Sequence, residues 1–339
     1  MLGSCKSPKQ HSGSTESTAT TQLGIVLLDS TEAASAIVQD TIDGFFEKIS
    51  EVEISIQMHS DKKYDSRTEA VAAYKQMLQT QVHSYDKSES DTIVKAFAIV
   101  KNLMDSINPN LWPPEINLIK VRTDHYGPDV YYTRGTAIAI PDNVFADGRS
   151  AIDLVPVMLH EVFHILSRYN SEFRKDMYAL IDFVPHGQTV VLSRALEQKR
   201  LCNPDGMTLD YGVKLSDGNG TEKTIIPFII SNKPYYSPST PSFFAYLKFD
   251  LYPLEILKDG SALLISDIAG NTVLSPEMQN DYFNHIGDNT QYVIHPDEIM
   301  ADNFMLAVQT AYDGDYSQYS DEGKSLIEGV LNILSKYKR

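Results

Sequence analysis

Val157-Met158-Leu159-His160-Glu161-Val162-Phe163-His164-Ile165-Leu166 decides how this chain reads. Apart from its two histidines and one glutamate, every residue in the stretch is apolar. A helix of that composition is buried. Burying two imidazoles and a carboxylate is costly unless something satisfies them. His160 and His164 are four apart, so they stand on one helix face, one turn above the other. From there both rings can reach one metal ion, at about 2.0–2.1 Å for zinc. Glu161 lies roughly 100° round the helix from His160. That position suits a carboxylate that holds a metal-bound water without itself ligating the metal.

Around this stretch the pattern predicts a helix from about Ile152 to Tyr169, with Pro156 in its first turn, where a missing N–H leaves no gap. Upstream, 3–4 spacing of apolar residues predicts a helix from Ser30 to about Ile49. Alternation at Val52, Ile54, Ile56 and Met58 predicts a strand. Helices follow at about Arg67–Val82 and Asp91–Ile107. Ile116–Val121 reads as a second strand and Gly135–Pro141 as a third, placed at a sheet edge because Pro141 closes it.

Downstream, residues 200–270 switch to β signals. Tyr211–Leu215 and Thr224–Ile230 flank Ser216-Asp217-Gly218-Asn219-Gly220 as a hairpin. Asn203-Pro204-Asp205-Gly206 is a turn by composition, with no chemistry assigned to it. Lys233–Phe244, rich in Tyr and Pro, reads as an ordered loop. Two helices close the chain, about Pro296–Ala311 and Ser317–Lys336.

A catalytic zinc needs a third protein ligand and keeps its fourth position for water. His-x-x-Gly-x-x-His does not follow His164. Far downstream, His295-Pro296-Asp297-Glu298-Ile299-Met300-Ala301-Asp302 starts a helix with Pro296 and puts Glu298 and Asp302 on one face.

His-Glu-x-x-His on one helix and Glu-x-x-x-Asp on a later one resembles the gluzincin (thermolysin-like) zinc metallopeptidases. The resemblance rests on residues 116–170 and 290–312. It implies that Zn2+ is held by His160, His164 and Glu298, with Glu161 as general base. Asp302 would be the carboxylate that fixes a histidine tautomer. It also implies a zincin-like α+β fold: a mixed sheet with an edge strand beside the active-site helix, where an extended peptide or protein substrate adds by main-chain hydrogen bonds. The reaction would be peptide hydrolysis. A donor besides the metal would stabilise the oxyanion, and Tyr282, His285, Tyr292, His295 and His186 are the candidates. Related readings are a zinc amidase acting on cell-wall peptide and a non-catalytic binding protein on the same scaffold. Glu161 argues against the latter, which has no need of a base.

The 339 residues suggest about two lobes. We divide them as a polar tail 1–22, an α/β lobe 23–170 carrying the His-Glu-x-x-His helix, and a mainly helical lobe 171–339. The second lobe carries the β-containing insertion at about 200–270 and the third-ligand helix. A net charge of −16 disfavours nucleic acid and anionic membrane surfaces. Two cysteines are too few for a disulfide framework. No apolar run is long enough to span a bilayer, and Gly-x-Ser-x-Gly is absent. The tail is rich in Ser and Thr and reads as disordered. Its start, Leu2-Gly3-Ser4-Cys5, resembles a bacterial lipobox. That implies a lipidated Cys5 tethering the protein at the cell envelope or exterior; without it the chain reads as cytoplasmic.

Overall fold

The computed structural model describes Thr20, residues 23–240 and residues 242–338. Cys5, and all of the tail except Thr20, lie outside the described residues. The fold is α+β with mixed sheets. The first sheet contains β1 (Ile25–Leu27), β2 (Val82–His83), β3 (Ile116–Val121), β4 (Tyr132–Arg134) and β5 (Ala137–Pro141). Its order is β1-β3-β5-β4, with β2 also on β3. β1, β3 and β5 run parallel, while β4 turns back antiparallel on β5.

Early helices are α1 (Ser30–Ala36), α2 (Phe45–Lys48), α3 (Glu51–Gln57), α4 (Arg67–Thr80) and α5 (Lys87–Ile107). Next come α6 (Asn143–Ala146), α7 (Ala151–Tyr169), α8 (Ser171–Ala179) and α9 (Arg194–Lys199). The last three are α10 (Pro276–Ile286), α11 (Pro296–Asp313) and α12 (Asp321–Lys336). Helix α7 packs chiefly against α5 and α11. One apolar core runs from Ile25 through Phe97, Met158, Phe163 and Phe304 to Leu334. Each such side chain contributes about 1.5–3 kcal/mol relative to exposure. Among the described residues, no helix is long and apolar enough to cross a membrane.

Several local expectations change. The single helix over Ser30–Ile49 is two short helices separated by residues 37–44, and Gly44, at φ 66° in the left-handed region, leads into the second. Val52–Met58 is not a strand: it forms α3 and its C-cap. Ser50 caps α3 by accepting the Glu53 N–H at 3.0 Å. Glu53 and Gln57, between the apolar positions, are buried too, and Gln57 Nε2 donates to Glu53 Oε1 at 2.8 Å, an i,i+4 pair that only a helix makes. Strand β5 is internal rather than at the edge, since β4 covers its free side. Pro141 is tolerated as the last residue of β5. Pro156 is the sixth residue of α7, beyond the first turn, so the Ile152 carbonyl loses its rung.

The second sheet contains β6 (Val184–Pro185), β7 (Val190–Leu192), β8 (Tyr211–Ser216), β9 (Glu222–Ser231), β10 (Leu247–Ile256) and β11 (Ala262–Leu264). Its order is β6-β8-β9-β10-β11-β7, and β8–β9 is the expected hairpin. The two margins, β6 and β7, are separated in sequence only by residues 186–189. Pro185 to Val190 is five Cα steps, at most about 18 Å, whereas the margins of a flat six-stranded sheet stand about 24 Å apart, so the sheet curls.

Candidate metal centre

Helices α7 and α11 bring the centre together. At the head of α7, the Asp153 carboxylate accepts the Ser150 N–H at 2.8 Å. Its buried face carries His164 (1% exposed) and Glu161 (3%). Helix α11 begins at Pro296, with His295 as N-cap accepting the Asp297 N–H at 3.0 Å. It presents Glu298, also 1% exposed.

Ligating atoms of His160, His164 and Glu298 all lie within 4.8 Å of one another. Glu298 Oε2 is 3.1 Å from His160 Nε2 and 3.6 Å from His164 Nε2. The outer nitrogen of each ring is held. His160 Nδ1 is 2.8 Å from Asp302 Oδ1, and His164 Nδ1 is 2.7 Å from Asp297 Oδ2. Asp302 is itself fixed by the Thr290 hydroxyl. Asp297 accepts from Ser167 Oγ at 2.5 Å and Tyr178 OH at 2.6 Å. Both imidazoles are therefore aimed inward, and the carboxylate behind each sets its tautomer.

The three ligand positions expected from the sequence thus converge, as do Glu161 and Asp302. The oxyanion candidates divide. Tyr282 OH donates to the Val293 carbonyl at 2.8 Å. His186 Nε2 donates to the Leu209 carbonyl at 2.6 Å and its Nδ1 accepts the Gln188 N–H. His285 pairs with Asp182 at 2.8 Å. His295 is engaged at both nitrogens, by the Asp297 N–H and the Thr208 carbonyl. Of the five, Tyr292 alone faces the centre, its ring stacked 6.2 Å from that of His160.

Three neighbours escape sequence reasoning. Nothing in the pattern singles out Asp297 beside Glu298. Asn203 Nδ2 donates to Glu298 Oε1 at 2.5 Å. Asp205 places a carboxylate oxygen within 4.8 Å of ligating atoms of both Glu161 and His164. The only local cue for these last two is a turn motif, which says nothing about what the turn packs against.

The electrostatics reflect this crowding. Burial and the nearby Asp205 push the Glu161 carboxyl up to about 8. Burial raises Asp205 as well. Burial would raise Glu298, but His164 and His160 hold it far below the ordinary carboxylate range. Burial would lower His160, yet its bonds to Asp302 and Glu298 lift it to about 10. Among the described residues, two buried atoms here, His164 Nε2 and Glu161 Oε2, have no hydrogen-bond partner. Orphaned buried polar atoms are expensive. Here two imidazoles and several carboxylates converge in a small buried space, a donor set that could hold a divalent cation. No family model, no curated protein and no solved structure matches the chain.

Proposed function

We propose that the protein is a zinc-dependent peptide hydrolase with a gluzincin-type centre on a zincin-like fold. His160, His164 and Glu298 would hold the ion. The observation that carries this reading is the orphaned pair His164 Nε2 and Glu161 Oε2 beside a third, charged oxygen donor on Glu298. Two nitrogens and one carboxylate form a donor set that zinc uses in catalytic sites. When bound, zinc supplies Lewis acidity toward water and toward a substrate carbonyl.

The chain's own residues do the rest. With the ion bound, Asp302 and Asp297 would keep the ring protons on Nδ1 and leave each Nε2 lone pair to the ion. Glu161, held near neutrality by burial and by Asp205, is suited to take a proton from the attacking water and return it to the leaving amine. Of the five candidates Tyr292, whose ring stacks on that of His160, would be the donor to the developing oxyanion. The outer side of β4, rather than β5, is the edge to which an extended peptide would add.

Purified protein should carry about one zinc per chain. Glu161→Gln should keep the metal and lose cleavage of a broad peptide library by at least about a hundredfold. Cleavage retained in that variant removes the proposed base.

A further inference from the structure

The turn Asn203-Pro204-Asp205-Gly206 does more than pack beside the centre. Asp205 comes close to Glu161 and His164 on one side, next to the orphaned His164 Nε2 and Glu161 Oε2. On the other side, its Oδ1 accepts the Thr133 N–H at 2.7 Å, and also the Thr133 hydroxyl. Thr133 lies in β4 opposite Ile138 of β5. Its N–H bonds outward to Asp205, so this is the free-edge donor that an added strand would use. One carboxylate therefore occupies both features a peptide substrate needs: the neighbourhood of the base and the open edge of the sheet.

The turn is seated firmly. Pro204 O accepts from Arg168 Nη2 at 3.2 Å, and Asn203 bonds Glu298. Its root is tied down where the Cys202 N–H donates to buried Glu53 at 2.7 Å. Gly206 lies flat on the His295 ring, and a Cβ there would overlap the ring atoms. That ring cannot turn aside, because both its nitrogens are engaged.

We propose that Asp205 closes the metal centre: its carboxylate takes the coordination position beside Glu161 while capping the edge of β4, so the folded chain holds its metal in a latent state with four protein ligands. Peptide enters only when residues 203–206 lift away. This rests on the metal reading above and deepens it. It also means that a purified, fully loaded protein is slow until the turn is displaced.

The test uses cobalt(II) as the metal probe and acetohydroxamic acid as a small competitor for the coordination position that Asp205 would take. In cobalt-loaded wild type, the visible spectrum should respond to hydroxamate only weakly. Asp205→Ala should bind hydroxamate at least about tenfold more tightly and hold cobalt about tenfold or more less tightly in a chelator competition. Gly206→Ala keeps every ligating side chain but unseats the turn that carries Asp205, and should tighten hydroxamate binding in the same direction. It stands in should Asp205→Ala fail to fold. Equal hydroxamate and cobalt affinities in wild type and variants overturn the closure while leaving the metal reading intact. Cobalt uptake that His164→Gln does not change overturns both.

Discussion

Asp297 shows most clearly what one residue contributes. It is buried, and it gathers His164 Nδ1, Ser167 Oγ and Tyr178 OH on one carboxylate. Burial opposes its charge, but those three donors hold it below the usual carboxylate range. Removing it leaves a buried imidazole without its partner. Asp297→Ala should therefore weaken zinc binding about 10–100-fold and cost roughly 3–5 kcal/mol of stability. Chelator competition and denaturant midpoints would check both, and unchanged metal affinity would show that His164 is oriented without it. The sequence hides Asp297 because its neighbour Glu298 already satisfies the helical spacing. A carboxylate one position earlier points about 100° away along the same helix, and only the packing of α7 against α11 shows that this direction also meets a histidine.

At the scale of elements, legibility follows how local the determining interactions are. His160, Glu161 and His164 are readable because helical geometry alone puts them together, and so are Glu298 and Asp302. Helix α3 reads wrongly as a strand because the alternation of Val52, Ile54, Ile56 and Met58 implies that Glu53 and Gln57 face water, whereas both are buried and bonded to one another. The capping signal of Ser50 and Glu53 is the better guide. Strand β4 leaves no readable pattern because it is three residues long. Helix α7 carries an internal defect, since Pro156 offers no N–H to the Ile152 carbonyl. Pro156→Ala should restore that rung and stabilise the protein by about 1–3 kcal/mol. Calorimetry should show a higher Tm, and an unchanged or lower Tm would mean that the packing of the Pro156 ring outweighs the missing rung.

For the whole molecule, the two ligand-bearing helices belong to one continuous core. A bound metal therefore stabilises the fold as a unit. Free zinc at a hundred times its Kd should add about 2.7 kcal/mol, seen as a rise in Tm that chelator reverses. The effect depends on pH, and its sign follows from His160. Burial would lower this ring, but Asp302 and Glu298 hold it at about 10, so the metal-free protein keeps the proton at neutral pH. Metal must expel that proton, so apparent zinc affinity should rise with pH, by roughly tenfold per unit for each proton released. A flat profile between about pH 6 and 8 would contradict the site. The α+β class, expected from the resemblance, agrees with the mixed sheets and helices of the fold. The approach of Asp205 is not, because it depends on how the residues between β7 and β8 pack back across α7 and β4.

The curled second sheet has a consequence of its own. Its outermost strands are two and three residues long, and a single link, residues 186–189, governs both. Cutting that link would leave each margin held only by its own pairing, β6 on β8 and β7 on β11. The tie between the two margins of this sheet thus rests on four residues, with Gly187 turning among them at φ 77°.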